Sequence, residues 1–338
     1  MSERFNEDLD RWRRKYFFMK SMVEKDYFRI PEEVPTYSAD GRMSVQELYG
    51  AFEDLAQRPG WRSKKIFSHS VVDEKFKPLG IRFPVVSLMT QIRGRALWVI
   101  SGIHGEEPAG PNAIAENVEL FDELRQRGIP IVMLPMCNPA GYFRDWRYPA
   151  SRRHSGASVG DNEHLLEDYF HAHPRSRKEK PSCRESYRLA NFVLDEGKEY
   201  PPRLVLDFHE DEDLRSGPVS YPYIYSQGPR GVSDPVAAKV VDILKSCGMG
   251  LKMEGGTRFE EPIVNGVVAV NDGDGSIDEL LAAKYVVVGG KKRKKPAADS
   301  VIVIETPIKD ITLRRRIDAH AAVMRQIPDL WDAALVRE

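Results

Sequence analysis

The chain has 338 residues, 41% of them hydrophobic, enough to bury the core of one large α/β domain or two modest ones. The 50 basic and 51 acidic residues leave a formal charge of −1, which argues against a general pull toward nucleic acid or an anionic membrane. Cys137, Cys183 and Cys247 are too few and too far apart for a disulfide framework or a C-x-x-C metal pair. With no apolar h-region behind Met1 and no stretch of membrane-spanning length, the expectation is a cytoplasmic protein.

Residues 5–28 are highly charged and carry Phe5, Trp12, Tyr16, Phe17 and Phe18. They predict a helix whose aromatic side packs on the domain, with a partner-binding helix as the sharper alternative. Pro31 to Asp40 reads as a linker. Ser44 and Glu47 form a capping box ahead of a stripe of Val45, Leu48, Phe52 and Leu55 that stops before Pro59-Gly60. Residues 1–60 are thus an expected helical extension packed on a catalytic domain spanning 61–338.

Strands follow over Ile81 to Met89 and Ala96 to Ser101, joined by the polar turn Gln91 to Arg95. A helix is predicted from Pro111 to Arg127, closed by Gly128, and a third apolar strand from Ile129 to Met136. A long Arg-, His- and Gly-rich stretch then runs to Glu163, a length more often functional than idle. His171-Ala-His173 lies beside a charged run and reads as a solvated loop. Ser182 and Glu185 cap a helix to about Asp195. Arg203 to Phe208 and Tyr221 to Tyr225 are strands, and Asp234 to Cys247 a helix. The run Lys291 to Lys295 is a solvated connection, Val301 to Ile304 an apolar strand, and Leu313 to Met324 the closing helix. Strands apolar on both sides alternating with helices describe an α/β fold: a mixed, mostly parallel twisted sheet with helices on both faces.

Three of these apolar strands run into ionisable groups. Ser101 leads to His104 and Glu107, Phe208 to His209, and Ile304 to Glu305. Desolvating such groups at a strand tip is costly unless they are paired or bind a metal, so a shared site is expected. Strand alternation also puts Asp207 on the face of His209. Two histidines and a glutamate suit one zinc ion with its fourth position left to water. Glu305, with no ligand partner nearby in sequence, then suits a general base. A positive donor for an oxyanion is available among Arg144, Arg147, Arg152 and Arg153.

In order, the chain carries His104-Gly-Glu-Glu107, Asn138-Pro-Ala-Gly141, Trp146-Arg147, a lone His after a strand, and a Glu ending the last strand. Across about residues 62 to 325 this order resembles the zinc carboxypeptidase family, of carboxypeptidase A type. The HGEEPAG and IETP wording is nearer its succinylglutamate desuccinylase/aspartoacylase-like and bacterial branches. The resemblance implies zinc on His104, Glu107 and His209, Glu305 as base, and Arg147 steadying the carbonyl and oxyanion. It puts Asn138, Asn162 and Glu163 on the substrate side. Asp161 becomes a candidate to orient a ligand imidazole, with Asp207 as the competitor.

One position departs from the family. Its Asn-Arg pair, about fifteen residues after Trp-Arg, grips a terminal carboxylate; here Asp161-Asn162-Glu163 keeps the Asn and replaces the Arg by Glu163. A carboxylate there repels a free C-terminus and suits an amine, a hydroxyl or an Arg salt bridge, with Arg152, Arg153 or Arg258 as substitute cations. The family's substrate-covering tyrosine has candidates in Tyr221, Tyr223 and Tyr225. The expected function is a zinc-dependent amide hydrolase acting near the end of a peptide or modified peptide. The alternatives are an N-acyl amino acid deacylase of the desuccinylase type and a non-catalytic binding protein on the same fold. The expected partner is a peptide or acylated amino acid, with no nucleic acid and no membrane.

Overall fold

A computed structural model describes residues 27–32, 34–72, 77–150, 157–166, 180–211, 221–257, 260–269 and 275–335. The helix expected over 5–28 lies almost wholly outside these residues, and the His171-Ala-His173 loop, Arg152, Arg153 and Arg258 lie outside them entirely.

Helix α1 (Val45–Gln57) starts as its sequence requires: Glu47 N donates to Ser44 Oγ, and the Glu47 carboxylate accepts from Ser44 N. Its Val45, Leu48, Phe52 and Leu55 are fully buried. A long hairpin follows, β1 (Trp61–Val72) against β2 (Pro78–Thr90). Nothing in the sequence marks β1 as a strand. Lys64 and Lys65 break its alternation on the exposed side, and a register shift between Lys65 and Phe67 breaks the period again.

Strand β3 (Ala96–Ser101) is buried throughout. The single helix expected after it is two, α2 (Ala109–Glu116) and α3 (Val118–Gln126). They part at Asn117, whose side chain donates back to Ala113 O, a local bond that competes with the helix. Strand β4 (Ile131–Leu134) precedes the short helix α4 (Pro139–Arg144). Helix α5 (Arg184–Glu196) is capped by Cys183 with Ser186, not by Ser182 with Glu185; the Ser182 hydroxyl turns instead to Asp161.

Strand β5 (Pro202–Asp211) runs two residues past His209. Then come β6 (Tyr223–Ser226), α6 (Pro235–Ser246), β7 (Glu254–Gly256), β8 (Pro262–Val264), β9 (Val267–Val268) and α7 (Ile277–Ala282). The basic run is not a connection. It is strand β11 (Lys291–Lys294), fully exposed and paired with β10 (Tyr285–Val288) across Gly289 and Gly290, both at positive φ. Strand β12 (Ser300–Pro307) and helices α8 (Leu313–Arg325) and α9 (Ile327–Ala333) complete the chain.

The large sheet has the order β1-β2-β4-β3-β5-β12-β6-β9-β8-β7. Its centre, β4-β3-β5-β12, is parallel, and the flanking pairs are mostly antiparallel. Leu97 and Val99 face a core shared with α1, α2, α3, α6, α8 and α9, while Trp98 and Ile100 face one shared with α5 and α7. The mixed sheet with helices on both faces is therefore present. Among the described residues no helix is long and apolar enough to cross a membrane.

Two buried histidines make this fold sensitive to acid. Burial pushes His69, beside Phe67, down to about 4. Burial, helped by the Arg316 charge, pushes His320 down to about 3, where its Nε2 meets Thr306 Oγ1 at 2.9 Å. The unfolded chain protonates these rings near ~6.5, so folding loses stability as pH falls from there toward the folded values. By about pH 5 each ring should cost on the order of 2 kcal/mol. The melting temperature should fall between about pH 7 and about pH 5, with a shallower slope in His320→Gln. A flat profile in the parent protein contradicts both assignments.

Candidate metal centre

The centre forms where the parallel strands end. After β3, the turn 102–108 carries His104 and Glu107, and Gly105 in it cannot be replaced without movement: a Cβ there would lie 2.0 Å from Gly141 C and 2.2 Å from Tyr142 N. Packed this closely on α4, the turn directs both side chains toward β5. The buried Glu107 carboxylate is the hub. Oε1 meets His104 Nδ1 at 2.7 Å and accepts from Arg147 Nη1 at 2.9 Å. Oε2 meets His209 Nδ1 at 3.0 Å and accepts from Glu210 N at 3.2 Å. The His104 and His209 rings lie 5.3 Å apart, and one donor atom from each of His104, Glu107 and His209 falls within 4.8 Å of the others. Two imidazole nitrogens and a carboxylate oxygen converging at that spacing are the donor set a divalent zinc ion takes.

Register explains how stretches two hundred residues apart meet. Strands β5 and β12 pair in parallel, with His209 opposite Glu305 and Asp207 opposite Val303. Glu305 therefore stands beside His209 on the same face. Asp207 Oδ1 lies 3.2 Å from His209 Nε2, so of the two candidate carboxylates Asp207 is the one in contact with a candidate ligand imidazole. Asp161 accepts from Ser182 Oγ and from Glu163 N. Its competitor for the orienting role is thus the residue in contact with His209.

The electrostatics follow from burial and these pairs. Burial pushes His104 down to about 4, reinforced by the Arg147 guanidinium and opposed by Glu107. Burial disfavours the His209 imidazolium too, but Asp207 and Glu107 outweigh it and hold His209 well above its ordinary value. Burial would raise Glu107, but the His104 and His209 rings outweigh it and keep the carboxyl well below its usual range. Glu305 is pushed up by burial, with Glu107 and Asp211 adding to the shift and His209 and Arg147 opposing it.

The other expected residues are placed unevenly. Arg147 bridges Glu106 and Glu107, within reach of the centre. A cavity lined by His104, Glu107, Arg147, His209 and Glu305 opens at the centre. Asn138 is the N-cap of α4, accepting from Gly141 N and donating to Arg147 O, so it holds the Arg147 segment and does not line this cavity. Asn162 is buried, donates to Gly160 O, and is likewise absent from the cavity wall. Asp161 and Glu163 do line it. So do Tyr223 and Tyr225 of β6; Tyr223 Oη donates to Asp211 and Tyr225 Oη to Glu261.

Three further residues were not singled out by sequence. Glu210, next to His209, is buried and pushed up to about 7 by that burial, against the pull of Arg316. It accepts from Ala109 N at 2.6 Å, tying β5 to the start of α2. Asp211, the last residue of β5, takes the Tyr223 hydroxyl. Arg42, from the segment before α1, donates to Gly105 O and Tyr142 O. A carboxylate close to a candidate ligand histidine could have flagged Glu210 and Asp211, whereas nothing local in the sequence marks Arg42.

Several solved structures share this fold. A Shewanella baltica OS155 protein, assigned as a metallopeptidase by inference, matches 89% of this chain and 99% of its own at 20% identity and TM-score 0.60. A Burkholderia cenocepacia metallo-carboxypeptidase matches 86% and 70% at 13% identity and TM-score 0.52. A Pseudomonas aeruginosa metallo-carboxypeptidase, solved with (2-guanidinoethylmercapto)succinic acid, matches 87% and 71% at 16% identity and TM-score 0.53. No protein-family model and no curated relative matches the chain. The architecture is thus the metallo-carboxypeptidase fold, reached at low sequence identity.

Proposed function

We propose that the protein is a zinc-dependent amide-bond hydrolase, metallocarboxypeptidase-like, acting near the end of a peptide or modified peptide. The observation that carries this reading is the convergence of His104, Glu107 and His209 on one point beside Glu305 and Arg147. His104, Glu107 and His209 would hold the zinc, which would supply Lewis acidity to a bound water, bringing its pKa toward ~7, and to a substrate carbonyl. Glu305 takes the proton of the attacking water and passes it to the leaving nitrogen. Arg147, already at the centre through Glu107, offers guanidinium donors to the oxyanion. Asp207, 3.2 Å from His209 Nε2, supports the His209 ring by its charge.

Substrate class follows from the walls of the cavity, about 610 Å³ in volume. Beyond the centre it is lined by Glu260 and Glu261, and also by Asp161, Glu163, Asp278 and Glu279, which have partners of their own. Glu260 and Glu261 favour a substrate bearing an amine or guanidinium near the scissile bond and disfavour anionic acyl groups. That weighs against the desuccinylase-type alternative. A panel of short peptides and N-acyl amino acids, matched in size and differing in charge, tests it. Cationic members should exceed anionic ones in kcat/KM by about tenfold or more, with the gap narrowing as salt rises. Equal rates, or a preference for succinyl or aspartyl groups, would overturn the substrate class while leaving the hydrolase standing.

A further inference from the structure

Arg42 belongs to the segment that precedes α1, yet its side chain is fully buried against the centre. Nη1 donates to Gly105 O at 3.1 Å and to Tyr142 O at 2.9 Å. Nη2 donates to Asp145 Oδ1 at 2.5 Å, and Nε and Nη2 bind the Asp40 carboxylate. The guanidinium also sits between the Tyr37 and Tyr142 rings, 4.9 and 5.0 Å from their centroids.

These acceptors come from three places that the chemistry needs in register. Gly105 lies between the ligands His104 and Glu107, and its N–H donates to Arg147 O at 3.3 Å. Tyr142 closes α4. Asp145, the C-cap of α4 in the left-handed region at φ 58°, stands two residues before Arg147. The same segment is bonded to this unit along its length: Tyr37 N donates to Phe143 O, Met43 N to Asn112 Oδ1, and Tyr142 Oη to Met43 O.

We infer that Arg42 is a positioning residue, a buried fork from the N-terminal segment that sets the distance between the metal-ligand turn and the oxyanion arginine. Only a planar guanidinium reaches acceptors on three sides at once; a lysine ammonium is a point donor and cannot span them. The inference rests on the reading of His104, Glu107 and His209 as the metal site.

The test uses the full chain and compares Arg42→Lys and Arg42→Ala with the parent protein and with Leu330→Ala, a core truncation in α9 remote in sequence from the centre. Zinc affinity is read by chelator competition, the cobalt-substituted protein by its visible spectrum, and turnover as separate kcat and KM. Both Arg42 variants should weaken zinc binding or lower kcat by about 10- to 100-fold, the range seen when a group supporting a metal ligand is removed. KM should change little, the cobalt spectrum should shift, and millimolar guanidinium should restore part of the activity of Arg42→Ala. Should both variants fail to fold, Asp40→Asn, which loosens the guanidinium without removing it, is read the same way. Zinc affinity and kcat within twofold of the parent overturn the inference, as do losses no larger than those of Leu330→Ala with an unshifted cobalt spectrum. If the parent protein itself takes up no zinc, it is the reading of the centre that fails, and the role of Arg42 goes with it.

Discussion

Glu305→Gln is expected to keep its zinc and lose turnover by about 10²- to 10⁴-fold, the share that a positioned general base contributes. The change is nearly isosteric, so it leaves β12 and its pairing with β5 in place. It removes only the ability to accept a proton beside His209, its register partner. The base must be ionised to act, and burial holds the Glu305 carboxyl up while His209 and Arg147 draw it down. In the parent protein kcat/KM should therefore fall on the acid side as Glu305 takes up its proton, and that limb should be missing from the residual rate of the variant. The measurement is a pH profile of kcat/KM with zinc content determined in the same samples. Parent-like turnover in Glu305→Gln would remove Glu305 from the mechanism.

Glu107→Gln is expected to lose zinc. Removing a group that merely supports a ligand weakens metal binding by about 10- to 100-fold, so loss of the anionic ligand itself should exceed that range. The chain also loses the charge on which His104 Nδ1, His209 Nδ1, Arg147 Nη1 and Glu210 N converge. Breaking a buried ion pair from one side costs about 3–5 kcal/mol, so the apoprotein should be destabilised as well. Zinc content after dialysis and a melting curve of the apoprotein read the two effects separately. A variant that retains one zinc per chain at parent affinity would show that Glu107 is not a ligand.

The site was more legible in the sequence than its supports were. His104, Glu107, His209 and Glu305 stand out because a buried strand has no cheap way to end in a bare imidazole or carboxylate, and the register of β3, β5 and β12 does bring them together. Asp207 was readable from strand alternation alone. Arg42 was not: its importance lies in carbonyl oxygens sixty and a hundred residues away, which no local pattern encodes. Asn138 and Asn162, carried by family resemblance, cap a helix and brace a loop, roles that share a residue type with substrate binding and so cannot be separated from it by sequence. The central strands were visible as unbroken apolar runs. Strands β1 and β11 were hidden because edge strands carry lysines on their open side, and there the alternation that reveals a half-buried strand is lost.

The central claim is that one divalent ion is shared by residues from the β3 turn and from β5. The most direct test is anomalous diffraction at the zinc edge from crystals grown with stoichiometric zinc. One peak should appear about 2.0–2.2 Å from His104 Nδ1, His209 Nδ1 and a Glu107 oxygen. Full zinc occupancy at a position that leaves out either histidine, or an empty centre at saturating zinc, would contradict the assignment.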